Sequence, residues 1–214
     1  MRARWLLVAA AACAGVAGFW LAQHLDGGRQ LDRGSPRLAS GTWLPQQREL
    51  SDFELSDAHG RAFTRRELAA APSLVFFGFT HCPDVCPTTL VKLRQILQHA
   101  AIPGLRVLFI SVDPARDTPA VLSRYLQAFD PRFQGLSGGP QAIARIAAEF
   151  GVAVNRVELP GGDYTMDHSA VVFLTDRAGR IAAIFTPPFE VAAVSADLGR
   201  AAPYLGAGGG RYAP

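Results

Sequence analysis

From residue 53 onward the chain alternates apolar runs with amphipathic stretches. "FELSDAHGRAFT" carries two short strand patterns on either side of His59 and Gly60, which predicts a hairpin. "SLVFFGFT" is apolar without alternation, the pattern of a strand covered on both faces. "TTLVKLRQILQHA" places Leu90, Leu93, Ile96 and Leu97 at helical spacing. "LRVLFISVD" predicts a second buried strand. "DTPAVLSRYLQAF" predicts a helix capped by Thr118 with Pro119 in its first position. "GPQAIARIAAEFGV" predicts another, ended by Gly151. "AVVFLTDRAGRIAAIF" reads as strand, turn and strand, and "FEVAAVSADLGR" as a last helix. This order predicts a layered α/β domain with a central mixed sheet flanked by helices.

The N-terminus has a different pattern. Arg2 and Arg4 precede an uncharged stretch from Trp5 to Ala22, close to the length that spans a bilayer. A signal anchor fits this length, the two arginines, and Trp5 and Trp20 near its ends. A cleaved signal peptide fits less well, because bulky Phe19 and Trp20 follow Ala17 and Gly18. A lipoprotein site at Cys13 is a third reading, although the apolar run continues past it. The anchor reading places everything after about residue 24 outside the cytoplasm. Residues 24–47, rich in Gly, Pro and Ser, read as a flexible tether. The expected organisation is an anchor at 1–23, a tether at 24–47, a domain at 48–204 and a flexible tail at 205–214.

The formal net charge is +3, carried by scattered arginines with no basic, aromatic-interleaved stripe, and no nucleic-acid partner is expected. The cysteines change the picture more. Three occur in 214 residues, and two of them, Cys82 and Cys86, stand four apart in "FFGFTHCPDVCPTTL". They fall where a buried strand hands over to a helix, the edge at which open α/β sheets place their sites. Helix N-termini favour thiolate over thiol. Thiolates are soft ligands suited to Cu(I) or zinc. A tetrahedral zinc site needs more Cys or His than this segment offers, whereas two cysteines and one distant histidine make a set that Cu(I) accepts. A structural disulfide closing so short a loop would contribute only about 2 kcal/mol. The extra residue relative to C-x-x-C weakens a dithiol-oxidoreductase reading. Phe79 and Pro83 occupy the places where a peroxiredoxin nucleophile is usually preceded by Thr.

Five histidines compete for the third position. His24 lies in the tether, His59 in a turn, and His99 late on a helix. His81 adjoins Cys82, but sequence neighbours rarely point the same way. His168 in "DYTMDHSAVVFL" stands at the mouth of a buried strand, as a ligand or as a polar rim residue. Asp163 and Asp167 read as orienting groups or turn formers, and Met166 as packing. In "DPARDTP", Asp117 and Thr118 read as helix caps and Arg116 as the partner of a carboxylate.

"GFTHCPDVCPTTL", "SVDPARDTP" and "DYTMDHSAVVFL", in this order, resemble the SCO/SenC family over roughly residues 48–200. These are membrane-anchored copper proteins that help assemble the binuclear copper centre of cytochrome c oxidase. The resemblance implies a thioredoxin-like fold with an added N-terminal hairpin. It implies that Cys82, Cys86 and His168 bind copper, as Cu(I) and as Cu(II), with Asp167 in support. The implied function is a metallochaperone that delivers copper to oxidase subunit II. The alternative is a thiol–disulfide oxidoreductase in which Cys82 and Cys86 are the redox-active pair and reduce the target cysteines. Other copper chaperones or thioredoxin-like reductants are the further partners implied. The expected location is the bacterial cytoplasmic membrane, single-pass, with the domain on the periplasmic side.

Overall fold

A computed structural model describes residues 35–206. The anchor expected at 1–23, most of the tether, and the tail from residue 207 lie outside the described residues. Among the described residues no helix is long and apolar enough to cross a membrane.

Among the described residues, ten strands and five α-helices form the domain. The strands are β1 (Thr42–Arg48), β2 (Glu54–Asp57), β3 (Ala62–Thr64), β4 (Ser73–Gly78), β5 (Arg106–Ser111), β6 (Gln134–Ser137), β7 (Val154–Glu158), β8 (Tyr164–His168), β9 (Val172–Thr175) and β10 (Ile181–Phe185). The helices are α1 (Arg65–Ala69), α2 (Val85–His99), α3 (Pro119–Gln127), α4 (Pro140–Phe150) and α5 (Val191–Ala201). Eight strands make one mixed sheet in the order β1-β10-β9-β4-β5-β6-β2-β3. Strands β4, β5 and β6 run parallel, and the remaining pairs are antiparallel. This is the thioredoxin-like mixed sheet that the resemblance implies, with the β2–β3 hairpin added at one edge.

Every residue of β4 is buried, as a continuous apolar run requires when both faces are covered. In α2, Leu90, Leu93, Ile96 and Leu97 are buried with Cys86 and Thr89, one stripe at helical spacing. Thr118 caps α3 by accepting from the Val121 amide, and Pro119 opens it. Gly151 ends α4 in the left-handed conformation at φ 72°, where a side chain would be strained. β4 and β5 pair in parallel from Ser73 opposite Arg106 to Gly78 opposite Ser111, so both strands deliver their carboxyl ends to one edge.

Three features differ from the expectations. Strand β1 occupies the end of the expected tether, paired with β10, and the Asp197 carboxylate of α5 holds the amides of residues 39–41. The domain therefore begins well before residue 48. Residues 154–168 form a separate two-stranded hairpin, β7–β8, outside the main sheet. Asp117 does not cap α3; it is fully buried and turns inward.

Candidate metal centre

The carboxyl end of β4 leads through Phe79, Thr80 and His81 to Cys82, and α2 begins three residues later. Cys86 therefore lies in the first turn of α2, where backbone amides have no helical partner. Asp84, the residue before the helix, makes no side-chain cap to it. The Cys82 sulfur serves instead, accepting from the Cys86 N–H at 3.4 Å. The spacing of four thus ties both cysteines to one helix end. Both are free thiols, Cys86 fully buried and Cys82 half-buried.

Gly78 explains how the Cys86 sulfur fits. A Cβ at residue 78 would stand 2.7 Å from the Phe109 ring and 3.0 Å from Cys86 Sγ. Only a residue without a side chain lets the sulfur settle over the end of β4. Burial pushes the Cys86 thiol well above the ordinary cysteine value, and the neighbouring Cys82 and Asp117 push the same way. The Phe79 backbone acts in the opposite sense, and burial is the largest influence on this thiol.

His168 closes β8, and its Nε2 lies 3.6 Å from Cys86 Sγ. The ring packs edge-on against Phe76 and Phe79, with centroids 6.2 and 5.9 Å away. Its Nδ1 faces the Ser169 carbonyl at 3.2 Å. A carbonyl only accepts, so Nδ1 carries the proton and the Nε2 lone pair points at the cysteine. Burial lowers the His168 pKa, while the Ser169 carbonyl and Asp167 act in the opposite sense. Burial thus favours the neutral imidazole, the form that can donate an electron pair.

Asp117 underlies the cysteine loop. Its carboxylate accepts from the Thr80 amide (3.1 Å), the Thr80 hydroxyl and the Ser111 hydroxyl (2.7 Å). Thr80 lies two residues before Cys82, so this buried carboxylate fixes the loop to the end of β5. Asp117 is thus a loop anchor and not a helix cap; its signal in the sequence is a second acid four residues after Asp113, at the end of a buried strand.

The remaining candidates are dispersed. His81 is exposed beside the Thr80 hydroxyl, His59 is exposed in the β2–β3 turn, and His99 is exposed at the end of α2. His24 and Cys13 lie outside the described residues. Asp167 is exposed, opposite Asn155 in the β7–β8 register, and reaches His168 through its charge. Met166 packs against the core and lines a cavity with Val112, Ile143 and Tyr164.

Among the described residues no three Cys, His, Asp or Glu side chains are already closed as a metal cage. What is assembled is an open donor set: a sulfur and an imidazole nitrogen in contact, and a second sulfur one hydrogen bond away. Two sulfurs and a neutral imidazole suit a soft cation of low coordination number. Hard cations such as Mg²⁺ or Ca²⁺ want oxygen ligands that this corner does not supply.

The family model described as SCO1/SenC matches residues 43–202. The "SCO2-like protein" of Rickettsia felis is 43% identical over 133 residues, which are 60% of this chain and 65% of that protein. "Protein SCO2 homolog, mitochondrial" of Bos taurus is 36% identical over 184 residues, 81% of this chain and 66% of that protein. The chain thus spans just under two thirds of the length of these curated relatives. Among solved structures, Bradyrhizobium japonicum ScoI with copper bound superposes with a TM-score of 0.65 at 43% identity, covering 71% of this chain and 98% of that one.

Proposed function

The chain belongs to the SCO1/SenC family, and from that premise we propose that it is a copper metallochaperone whose ligands are Cys82, Cys86 and His168. The observation that carries this reading is His168 Nε2 standing 3.6 Å from Cys86 Sγ, with Nδ1 turned to the Ser169 carbonyl. Copper in the related ScoI supports the choice of ion.

Cys86, fully buried, is the retaining thiolate, His168 holds the ion beside it, and half-buried Cys82 is the ligand that yields. A thiolate from an acceptor protein adds at the open side, and Cys82 then leaves. No intermediate with fewer than three ligands is needed, because a three-coordinate ion accepts a fourth donor first. Asp167 supports His168 by its negative charge. Residues 1–23 hold the chain at the bacterial cytoplasmic membrane with the domain on the periplasmic side, where subunit II of cytochrome c oxidase is the acceptor. Copper reaches the site from another copper chaperone, and a thioredoxin-like protein keeps the cysteines reduced.

The test is transfer. Copper-loaded full-length protein is mixed with the metal-free subunit II copper domain in its reduced form, the two proteins are separated, and the copper on each is measured. The reading expects copper to move to subunit II, and not to do so from Cys86→Ala. If subunit II takes up no copper, yet its oxidised form becomes reduced at the expense of Cys82 and Cys86, the thiol–disulfide alternative replaces it.

A further inference from the structure

The segment "DPARDTP" does more than cap α3 through Thr118. Its side chains face two ways. On one side Asp117 anchors Thr80, and through it the loop carrying Cys82. On the other side Asp113 and Arg116 grip the β7–β8 hairpin, which carries His168.

That grip is built on Tyr164, the first residue of β8. Its hydroxyl donates to Asp113 at 2.8 Å. The Arg116 guanidinium lies 3.8 Å from the centre of the Tyr164 ring, and that of Arg156 on β7 lies 3.7 Å from it. Two guanidinium groups this close to one ring centre cannot share a face, so the ring is held between them. Arg116 also donates to the Tyr164 carbonyl at 2.9 Å and pairs with Asp113 and Asp163. Among the described residues the hairpin pairs only with itself, outside the main sheet. Two-stranded ribbons are marginal alone, so its position depends on what grips it.

We propose that residues 113–117 are the positioning element of the copper site, with Asp117 fixing the cysteine loop and Asp113 and Arg116 clamping Tyr164 so that one short segment sets the separation of the cysteine pair from His168. This rests on the reading of His168 as the third ligand. A ligand set tolerates misplacement of only about 0.5 Å, so slack in the hairpin becomes lost affinity. Asp113, Arg116 and Tyr164 touch no metal; they act through the placement of His168.

The test is a double-mutant cycle on the full-length chain in a Cys13→Ala background, read as Cu(I) affinity against a competing chelator. Tyr164→Phe keeps the ring between the arginines and removes only the hydroxyl. Losing a hydrogen bond to a charged acceptor predicts an affinity about tenfold weaker. In a His168→Ala background the same substitution should cost less than about twofold, because the effect passes through His168. Amide hydrogen exchange in copper-free Tyr164→Phe should quicken in β7 and β8 and stay unchanged in β4 and β5. An equal loss in both backgrounds overturns the proposal. So does unchanged affinity in Tyr164→Phe when His168→Ala alone is weakened, and in that case the ligand set survives. Unchanged affinity in His168→Ala overturns the ligand set, and the clamp with it.

Discussion

Asp117→Ala is the perturbation whose cost can be worked from the geometry. The carboxylate is fully buried and has no cationic partner among its hydrogen bonds; it is satisfied by the Thr80 amide, the Thr80 hydroxyl and the Ser111 hydroxyl. Truncation strands all three donors at once. The Thr80 hydroxyl can turn to His81 Nδ1, 3.2 Å away, which leaves the Thr80 amide and the Ser111 hydroxyl unpaired. Hydrogen bonds to a charged group contribute about 1.5–3 kcal/mol each. Two lost near the lower end of that range give a destabilisation of about 3–4 kcal/mol. For a domain of this size each kcal/mol lowers the melting temperature by about 2–4 °C, so Asp117→Ala should melt roughly 6–16 °C lower. Asp117→Asn retains one carbonyl oxygen for the Thr80 amide and should cost only about 1–2 kcal/mol. Thermal melts of the reduced, metal-free protein, followed by circular dichroism, measure both. An Asp117→Ala melt within about 2 °C of the parent would refute the view that this carboxylate holds the cysteine loop.

Two other substitutions test separate parts of the account. Gly78→Ala drives a methyl group against the Phe109 ring and Cys86 Sγ, so it should destabilise the domain by about 1–3 kcal/mol and weaken Cu(I) binding; a chelator competition with unchanged affinity would show that the sulfur does not depend on this opening. Asp197 tests the docking of the N-terminal segment. Burial raises its pKa, but the amides of residues 39–41 and the Ser40 hydroxyl outweigh that and hold it below the usual carboxylate range. A carboxyl with a depressed folded pKa contributes its full stability above the unfolded value of about 3.9, and loses it as pH falls through the folded value. Asp197→Asn should therefore be less stable than the parent in urea at neutral pH, with a gap that narrows below about pH 4. A gap constant across that range would mean that the charge contributes nothing.

The central part of the fold was legible because its signals are local. The unbroken apolar run of β4, the helical spacing of Leu90, Leu93, Ile96 and Leu97, and the caps at Thr118 and Gly151 each need only their own neighbours. β1 was not legible. "TWLPQQR" is polar and contains Pro45, and it becomes a strand because β10 pairs with it and Asp197 holds the residues before it. The β7–β8 hairpin had a local signal that went unread: "VNRVE" and "YTMDH" flank the turn "LPGGD", with both glycines at positive φ. The cysteine pair was recognisable from spacing, whereas the choice of His168 among five histidines needed the resemblance. The structure brings its Nε2 to Cys86 across 82 residues of chain, a distance no local pattern encodes. Asp117 was misread because a polar residue just before a helix is usually a cap; its burial follows from the junction of β4 and β5, which only the folded sheet creates.

The most direct test of the central claim is an anaerobic Cu(I) titration of the reduced full-length chain in a Cys13→Ala background, against a strong Cu(I) chelator. Cys82→Ala, Cys86→Ala and His168→Ala are measured beside it. The account predicts about one tight equivalent, lost or strongly weakened in each of the three variants. Tight binding that persists when His168 is removed, or no tight binding in the parent protein, would contradict it.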